Sequence, residues 1–339
     1  MSSPYIPLKI KDLINETIDS KSLVFSIPDQ LREQFSYKPG QFLTLRIPRG
    51  AGFSPRCYSL ASSPFTDQDL KVSVKRVDGG HGSNWICDVL KVDDIVEVLP
   101  PAGVFCPSNL DQDFFLFAGG SGVTPIMSIL KSALAKGHGK IKVFYANKNE
   151  ESIIFKEELD NLLKEYPTRL EIQFWLDDVQ GYAKADDINK FLPSQVVGEA
   201  FICGPGPFMS LVEGALLDLN VDASLIHVER FISLPDEGVI QKPQSSDGTE
   251  YHLQVHLDGE TYEIDGLPNE FLLDAMLRKG VVAPYSCQAG VCSSCMCKVE
   301  EGKVDMLIHD CLTEKDLASG WVVACQALAV SENIVVRFS

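Results

Sequence analysis

Tyr285-Ser286-Cys287-Gln288-Ala289-Gly290-Val291-Cys292-Ser293-Ser294-Cys295 carries three cysteines spaced Cys-x4-Cys-x2-Cys. A fourth, Cys325, follows after 29 intervening residues in Val323-Ala324-Cys325-Gln326. This is the spacing with which four thiolates hold a [2Fe–2S] cluster of low reduction potential. Thiolates are soft ligands and suit zinc as well. Structural zinc sites usually pair their cysteines as two Cys-x2-Cys knuckles, however, and only one such pair is present here. The small residues Ser286, Ala289, Gly290, Ser293 and Ser294 let the backbone fold close over a cluster and donate N–H bonds to its sulfurs. Cys297 lies two residues after Cys295 and reads as a buried, apolar-like thiol. Cys311 competes with Cys325 for the fourth place but stands in a polar, loop-like context, so the expected ligands are Cys287, Cys292, Cys295 and Cys325. A centre that takes one electron at a time needs a source and a destination.

The rest of the 339 residues bounds the answer. The length suggests two or three domains, and 45% hydrophobic with 23% charged residues is an ordinary globular balance. No apolar run reaches the ~18 residues of a membrane span. The start shows no signal peptide, so a cytoplasmic protein is expected, in which ten cysteines point to metal or redox chemistry rather than disulfides. The formal charge of −17 excludes nucleic acid and anionic membrane as expected partners, since both would repel this surface. From Tyr251 onward 13 acidic residues face 6 basic ones, so the cysteine-bearing end is acidic too. That suits either mere solubility or docking on a basic patch.

The texture changes along the chain. Residues 6–107 read as many short strands with turns between them, as in Leu43-Thr44-Leu45-Arg46-Ile47 and Lys71-Val72-Ser73-Val74-Lys75, which predicts an antiparallel β-barrel or sandwich. Continuous apolar runs then alternate with helical segments: Phe114-Phe115-Leu116-Phe117-Ala118, a helix over 126–135, Lys142-Val143-Phe144-Tyr145, Leu170 to Trp175, and Ala200-Phe201-Ile202-Cys203. This alternation predicts an α/β domain with a parallel, doubly wound sheet. Residues 232–249 are polar with Pro and Gly, as in a linker. Beyond them come a hairpin, a helix from about Glu270, the cysteine loop and closing strands, an α+β pattern. The expected domains are 1–108, 109–231 and 250–339, joined to the last by the 232–249 linker.

Two motifs in the barrel segment suit a flavin. Arg56-Cys57-Tyr58-Ser59 offers Arg for a pyrophosphate, Tyr to stack on an isoalloxazine ring, and Ser to hydrogen-bond near its reactive edge. Gly79-Gly80-His81-Gly82-Ser83-Asn84-Trp85 follows the strand Val74-Lys75-Arg76 and puts glycines before a helix N-terminus, where backbone N–H groups hold phosphate. In the α/β segment, Gly119-Gly120-Ser121-Gly122-Val123-Thr124-Pro125 follows a strand and opens a helix, the context in which a glycine loop binds a dinucleotide. Its form is Gly-x-Gly-x-x-Pro, and Pro125 suits a first helical turn. Cys203-Gly204-Pro205-Gly206-Pro207 also sits at a strand's carboxyl end, where open α/β sheets bind ligands. Asp177 and Asp178, after the strand ending Phe174-Trp175, would repel a 2′-phosphate and can bind ribose hydroxyls, so NADH rather than NADPH is expected. A solvated acidic turn is the alternative.

Together these motifs and the cysteine pattern resemble the ferredoxin–NADP reductase-like superfamily, in its oxygenase reductase branch with a C-terminal plant-type [2Fe–2S] ferredoxin. The similarity spans nearly the full length and is strongest to the reductase components of 3-ketosteroid 9α-hydroxylase and phenylacetyl-CoA epoxidase. Val74-Lys75-Arg76, Tyr145-Ala146-Asn147 and Cys203 to Met209 contribute to it. The resemblance implies a flavin-binding β-barrel, a nicotinamide domain and a β-grasp ferredoxin domain, with FAD rather than FMN. It implies flavin contacts from Arg56, Cys57, Tyr58, Ser59, Val74, Lys75, Gly80, Gly82 and Ser83. Nicotinamide-nucleotide contacts would come from Gly120, Gly122, Thr124, Pro125, Asp177, Asp178, Cys203, Gly204 and Pro205, with Ser59, Thr124 and Cys203 around the reacting rings. It further implies a monomer that passes electrons from NADH through FAD to the cluster and on to a terminal oxygenase, Rieske-type or di-iron. No acid or base is needed for this, and the six histidines form no constellation that suggests one. A zinc-stabilised nucleotide-binding protein without turnover is the distant alternative.

Overall fold

The computed structural model describes all residues except 1–4, 51, 231–249, 286, 289, 291, 292, 310, 313 and 339. The linker segment and Cys292 therefore lie outside the described residues. The chain divides into two compact units, Met1–Phe231 and Ile232–Ser339.

The first unit opens with six strands: β1 (Ile6–Thr17), β2 (Ser20–Ser26), β3 (Phe42–Arg49), β4 (Gly52–Ser59), β5 (Leu70–Lys75) and β6 (Ile95–Ala102). Helix α1 (His81–Asp88) lies between the last two. The order β4-β3-β6-β1-β2-β5 is antiparallel throughout. Leu60, one residue past β4, bridges Val72 of β5 and brings the two sheet ends together. Alternation supplies the inside: Leu43, Leu45 and Ile47 of β3 meet Leu23 and Phe25 of β2, all fully buried.

The parallel half follows the apolar runs. Its elements are β7 (Phe114–Gly119), α2 (Val123–Lys136), β8 (Ile141–Asn147), α3 (Lys156–Glu165), β9 (Leu170–Leu176), α4 (Asp177–Gln180), α5 (Ala185–Phe191), β10 (Glu199–Cys203), α6 (Gly206–Asp218) and β11 (Ile226–Glu229). The strand order is β11-β10-β7-β8-β9, all parallel. Every residue of β7 is buried because both sheet faces are covered. Phe114 and Leu116 pack toward α2 and α3, and Phe115 and Phe117 toward α5 and α6. Each such side chain contributes about 2–3 kcal/mol of apolar burial. Helix α2 starts at Val123, three residues earlier than its periodicity suggests, because the glycine loop winds directly into it. Likewise Asp177 and Asp178 open the one-turn helix α4 instead of an open loop.

The second unit contains β12 (Tyr251–Leu257), β13 (Glu260–Gly266), α7 (Leu272–Arg278), β14 (Met296–Glu301), β15 (Val304–Met306), α8 (Glu314–Ala318), β16 (Trp321–Val323), β17 (Ala327–Ala329) and β18 (Asn333–Arg337). Its mixed sheet runs β13-β12-β18-β14-β16, and β15 pairs with β17. Alternate residues Leu253 and Val255 face the core with Leu272, Met276 and Val336. Among the described residues, no helix is long and apolar enough to cross a membrane.

Candidate cofactor sites

In the barrel, β4 presents Arg56 and Tyr58 to the first turn of α1. A Cβ at Gly82 would lie 3.1 Å from Arg56 Cγ and 3.4 Å from the Tyr58 hydroxyl, so only glycine permits this approach without displacement. Arg56 Nη1 donates to Ser54 Oγ (2.5 Å) and to the Pro55 carbonyl (2.9 Å), which aims the guanidinium. No side chain caps α1, whose N-cap is Gly80, so its first-turn N–H groups are left for an anion beside an arginine. The Ser83 hydroxyl is spent on the turn itself, accepting from Val77 N–H (3.0 Å). The Val74 side chain is buried in the barrel core, which leaves only its backbone for a ligand, and Lys75 pairs with Asp19 at 3.6 Å. Cys57 Sγ lies 3.4 Å from Thr44 Oγ1. An uncapped helix turn, an aimed arginine and a tyrosine in one cradle fit a flavin carrying a pyrophosphate.

At the end of β4, Ser59 Oγ donates to Glu229 Oε2 (3.1 Å), a residue 170 positions away on the edge strand β11. Glu229 is the register partner of Cys203 on β10. Burial pushes the Glu229 carboxyl up to about 8, against the lowering effect of the Ser59 hydrogen bond. Burial, reinforced by Glu229, holds the Cys203 thiol well above its ordinary value. Ser59 and Cys203 are thus brought around one carboxyl. Sequence reading missed Glu229, since nothing in Ile226-His227-Val228-Glu229 marks it; only the parallel pairing of β11 with β10 brings it here.

The nicotinamide loop is packed backbone against backbone. A Cβ at Gly122 would lie 2.1 Å from the Cys203 carbonyl oxygen, and the Gly119 and Gly204 backbones cross closely too. Gly120 adopts φ +52°, and the Tyr145 hydroxyl donates to its carbonyl (3.1 Å) while accepting from Ile154 N–H (3.2 Å). Thr124 Oγ1 donates to the Ser121 carbonyl (3.1 Å), so this hydroxyl braces the loop. Pro125 is the third residue of α2, and Pro205 is the N-cap of α6. Asp178 N–H donates to the Lys148 carbonyl (3.1 Å), tying α4 to the end of β8; burial and then the Asp178 charge raise the Asp177 carboxyl. Asn147, the last residue of β8, is 4% exposed, and neither atom of its amide has a hydrogen-bond partner. The nearby Tyr145 phenol is engaged with the Gly120 carbonyl and the Ile154 N–H. An orphaned amide at the carboxyl edge of a parallel sheet, between a glycine loop and a pair of carboxylates, fits a dinucleotide.

In the second unit Cys287, Cys295 and Cys325 are buried and converge, the Cys325 thiol being hydrogen-bonded to Cys287 and Cys295. Cys325 N–H donates to Cys295 Sγ (3.5 Å). These contacts raise the Cys325 thiol and lower that of Cys295. The loop is compressed: Gly290 has φ +75° with the Ile308 carbonyl oxygen 2.5 Å from where a Cβ would stand, and Gln326 Nε2 donates to the Gln288 carbonyl (3.1 Å). Ser294 Oγ and Gln326 Oε1 are buried without partners. Converging thiols beside the unused Ser294 hydroxyl, a donor, suit a cluster whose sulfides accept hydrogen bonds. Cys297 is fully buried in the apolar core, and Cys311 is half-buried and engaged with Ser293.

Three family models match in this order: an oxidoreductase FAD-binding domain over residues 7–106, an oxidoreductase NAD-binding domain over 116–214, and a 2Fe-2S iron–sulfur cluster binding domain over 255–330. Together with the sites above they define an NADH-dependent flavin oxidoreductase with FAD and a [2Fe–2S] cluster. The chain is 47% identical, over 98% of its length and 96% of the relative's, to the 3-ketosteroid-9-alpha-monooxygenase ferredoxin reductase component of Rhodococcus rhodochrous. It is 33% identical, over 98% of its length and 97% of the relative's, to one of the subunits of the 1,2-phenylacetyl-CoA epoxidase of Escherichia coli (strain K12). The solved structure of phthalate dioxygenase reductase matches with a TM-score of 0.63 and 24% identity, covering 99% of this chain and all of that one. The chain belongs to the family of ferredoxin reductase components of multicomponent oxygenases.

Proposed function

We propose that this chain is the reductase of a Rieske-type oxygenase that hydroxylates a steroid-like ring, acting as a cytoplasmic monomer. The full-length 47% identity to a 3-ketosteroid-9-alpha-monooxygenase component carries this reading. The domain boundaries are placed at 108/109, 231/232 and 249/250, supported by the family-model limits and by the division of the chain after Phe231. A bound flavin would supply a centre able to take a hydride from the nicotinamide and to release electrons singly toward an iron–sulfur cluster. In this reading Arg56 and the first turn of α1, with Gly80, Gly82 and Ser83, hold the flavin's phosphates, and Tyr58 covers its ring beside Cys57, Val74 and Lys75. Gly120, Gly122, Thr124 and Pro125 with Cys203, Gly204 and Pro205 seat the nicotinamide half of NADH. Asp177 and Asp178 take the adenosine ribose. Glu229 holds a proton at neutral pH within reach of Ser59 Oγ, and so adds a proton source that the sequence alone does not suggest. Cys287, Cys292, Cys295 and Cys325 are the proposed cluster ligands.

The test is reconstitution. NADH should bleach the flavin and iron–sulfur absorption, and the reduced protein should then support hydroxylation of a 3-ketosteroid by a purified Rieske-type oxygenase. Product formation only with a di-iron phenylacetyl-CoA epoxidase would replace this reading with the second one, which the 33% full-length identity supports.

The Glu229 carboxyl makes a separate, pH-dependent prediction. A carboxyl whose folded value exceeds its ordinary 4.5 binds its proton more tightly when folded. The stability this contributes is fully present below about 4.5 and is lost as pH rises through about 8. Glu229→Gln keeps an acceptor for Ser59 and removes the titration. Its melting temperature relative to wild type should climb between pH 5 and pH 8.5; a constant difference would contradict a carboxyl that holds its proton more tightly in the folded state.

A further inference from the structure

The barrel and the parallel half of the first unit meet along one stripe of α2. Ser128, Lys131 and Ser132 are buried and stand at i, i+3 and i+4, on a single helix face. Ser128 Oγ donates to the Ser62 carbonyl (2.6 Å), and Ser132 Oγ lies 2.9 Å from Ser63 Oγ. Between them Lys131 Nζ contacts Asp67 (2.7 Å) and Glu158 (2.5 Å), and Glu158 of α3 in turn takes Lys71 of β5 (2.9 Å). Two cations and two anions alternate, and each half of the unit supplies one of each. Burial disfavours these charges, yet the pull of Glu158 and Asp67 keeps Lys131 above its ordinary value, and that of Lys71 and Lys131 keeps Glu158 below its own.

A half-buried ion network around one buried lysine is a poor way to gain stability, because apolar side chains of similar size hold an interface as well. What it does supply is a unique register. Its position shows which register is at stake. Ser62 and Ser63 follow Ser59, at the end of the proposed flavin strand, by three and four residues. Ser128 stands one helical turn beyond Thr124 of the nicotinamide loop. The two loops that must face each other are thus each pinned, within a turn of chain, to the same polar cluster.

We propose that Lys131 is a positioning residue for hydride transfer, fixing the nicotinamide loop against the flavin strand. This rests on the NADH-to-flavin reading. Hydride transfer is sensitive to distance in a way that binding is not, since small misplacements of reacting groups slow a reaction steeply.

The experiment uses the full-length, cofactor-loaded protein with Lys131→Met, Lys131→Arg and Asp67→Asn. Anaerobic flavin reduction is followed by stopped flow over a range of NADH concentrations. The long-wavelength charge-transfer absorbance of the reduced protein with NAD+ is recorded as an independent report of ring placement. Lys131→Met should lower the limiting rate tenfold or more and weaken the charge-transfer band, with half-saturation by NADH within about twofold of wild type. Lys131→Arg should restore most of both. If Lys131→Met fails to retain flavin, Asp67→Asn, which loosens the same pair from the barrel side, should shift rate and band in the same direction. Wild-type rates and bands in a flavin-loaded variant that has merely become less heat-stable would overturn the proposal. A wild-type protein that NADH does not bleach would overturn instead the reading beneath it.

Discussion

Cys325→Ala is expected to abolish the iron–sulfur absorption and all electron delivery to an oxygenase, while leaving reduction of the flavin by NADH within twofold of wild type. The thiol of Cys325 is the point at which Cys287 and Cys295 converge, and its own N–H reaches Cys295 Sγ. Removing it leaves a two-iron centre one ligand short. The flavin and nicotinamide motifs belong to the other compact unit, so the loss should not spread to them. Two measurements check this: iron content with visible absorbance, and stopped-flow flavin reduction. Full iron occupancy in the variant would exclude Cys325 as a ligand and direct attention to Cys311, the other cysteine that sequence alone keeps in play.

Gly122→Ala is the second large effect. The backbone of Gly122 is ordinary right-handed helix (φ −62°, ψ −9°), so alanine is not excluded by its dihedrals. The obstacle is space. The new methyl would stand 2.1 Å from the Cys203 carbonyl oxygen, 2.4 Å from its carbon and 2.7 Å from Gly204 N, all main-chain atoms that no rotamer change can move. The glycine loop and the Cys203 loop must separate, at a stability cost of about 3 kcal/mol, the upper part of the usual overpacking range. NADH affinity should fall at least a hundredfold in a saturation series of flavin reduction. Gly120→Ala provides the contrast, because nothing stands within 4 Å of its absent Cβ and its cost is the left-handed φ of +52° alone, about 1–2 kcal/mol. Equal NADH binding by the Gly122 variant and wild type would refute the close-packed loop.

These two predictions also mark what the sequence can and cannot disclose. The convergence of Cys287, Cys295 and Cys325 was legible because cluster chemistry, where it applies, dictates residue type and spacing. The buried runs of β7 and β10 were legible because a strand covered on both faces has no polar positions to disguise it. Glu229 was not, since its meaning depends on the register Cys203↔Glu229 and on an approach by Ser59 from another sheet. Lys131 was hidden for the same reason: on sequence it is one charged position in an apolar helix, which reads as a solvated edge. Asp177 and Asp178 stand out in the sequence as an acidic pair, but the helical turn they open does not, because four residues leave too short a period to read.

The Tyr145 phenol, reaching from β8 to hold the carbonyl of Gly120, bears on how the dinucleotide would arrive. A left-handed glycine in an unbraced loop samples many conformations, and a ligand that selects one of them must bear that loss of freedom at the moment of binding. Here the strand beneath has already imposed it, and the loss was incurred when the chain folded. The encounter becomes one between a ligand and a rigid mould, so association should proceed in a single kinetic phase with a small entropic barrier. Tyr145→Phe would leave the same atoms for the nucleotide to touch and return that ordering step to the binding event.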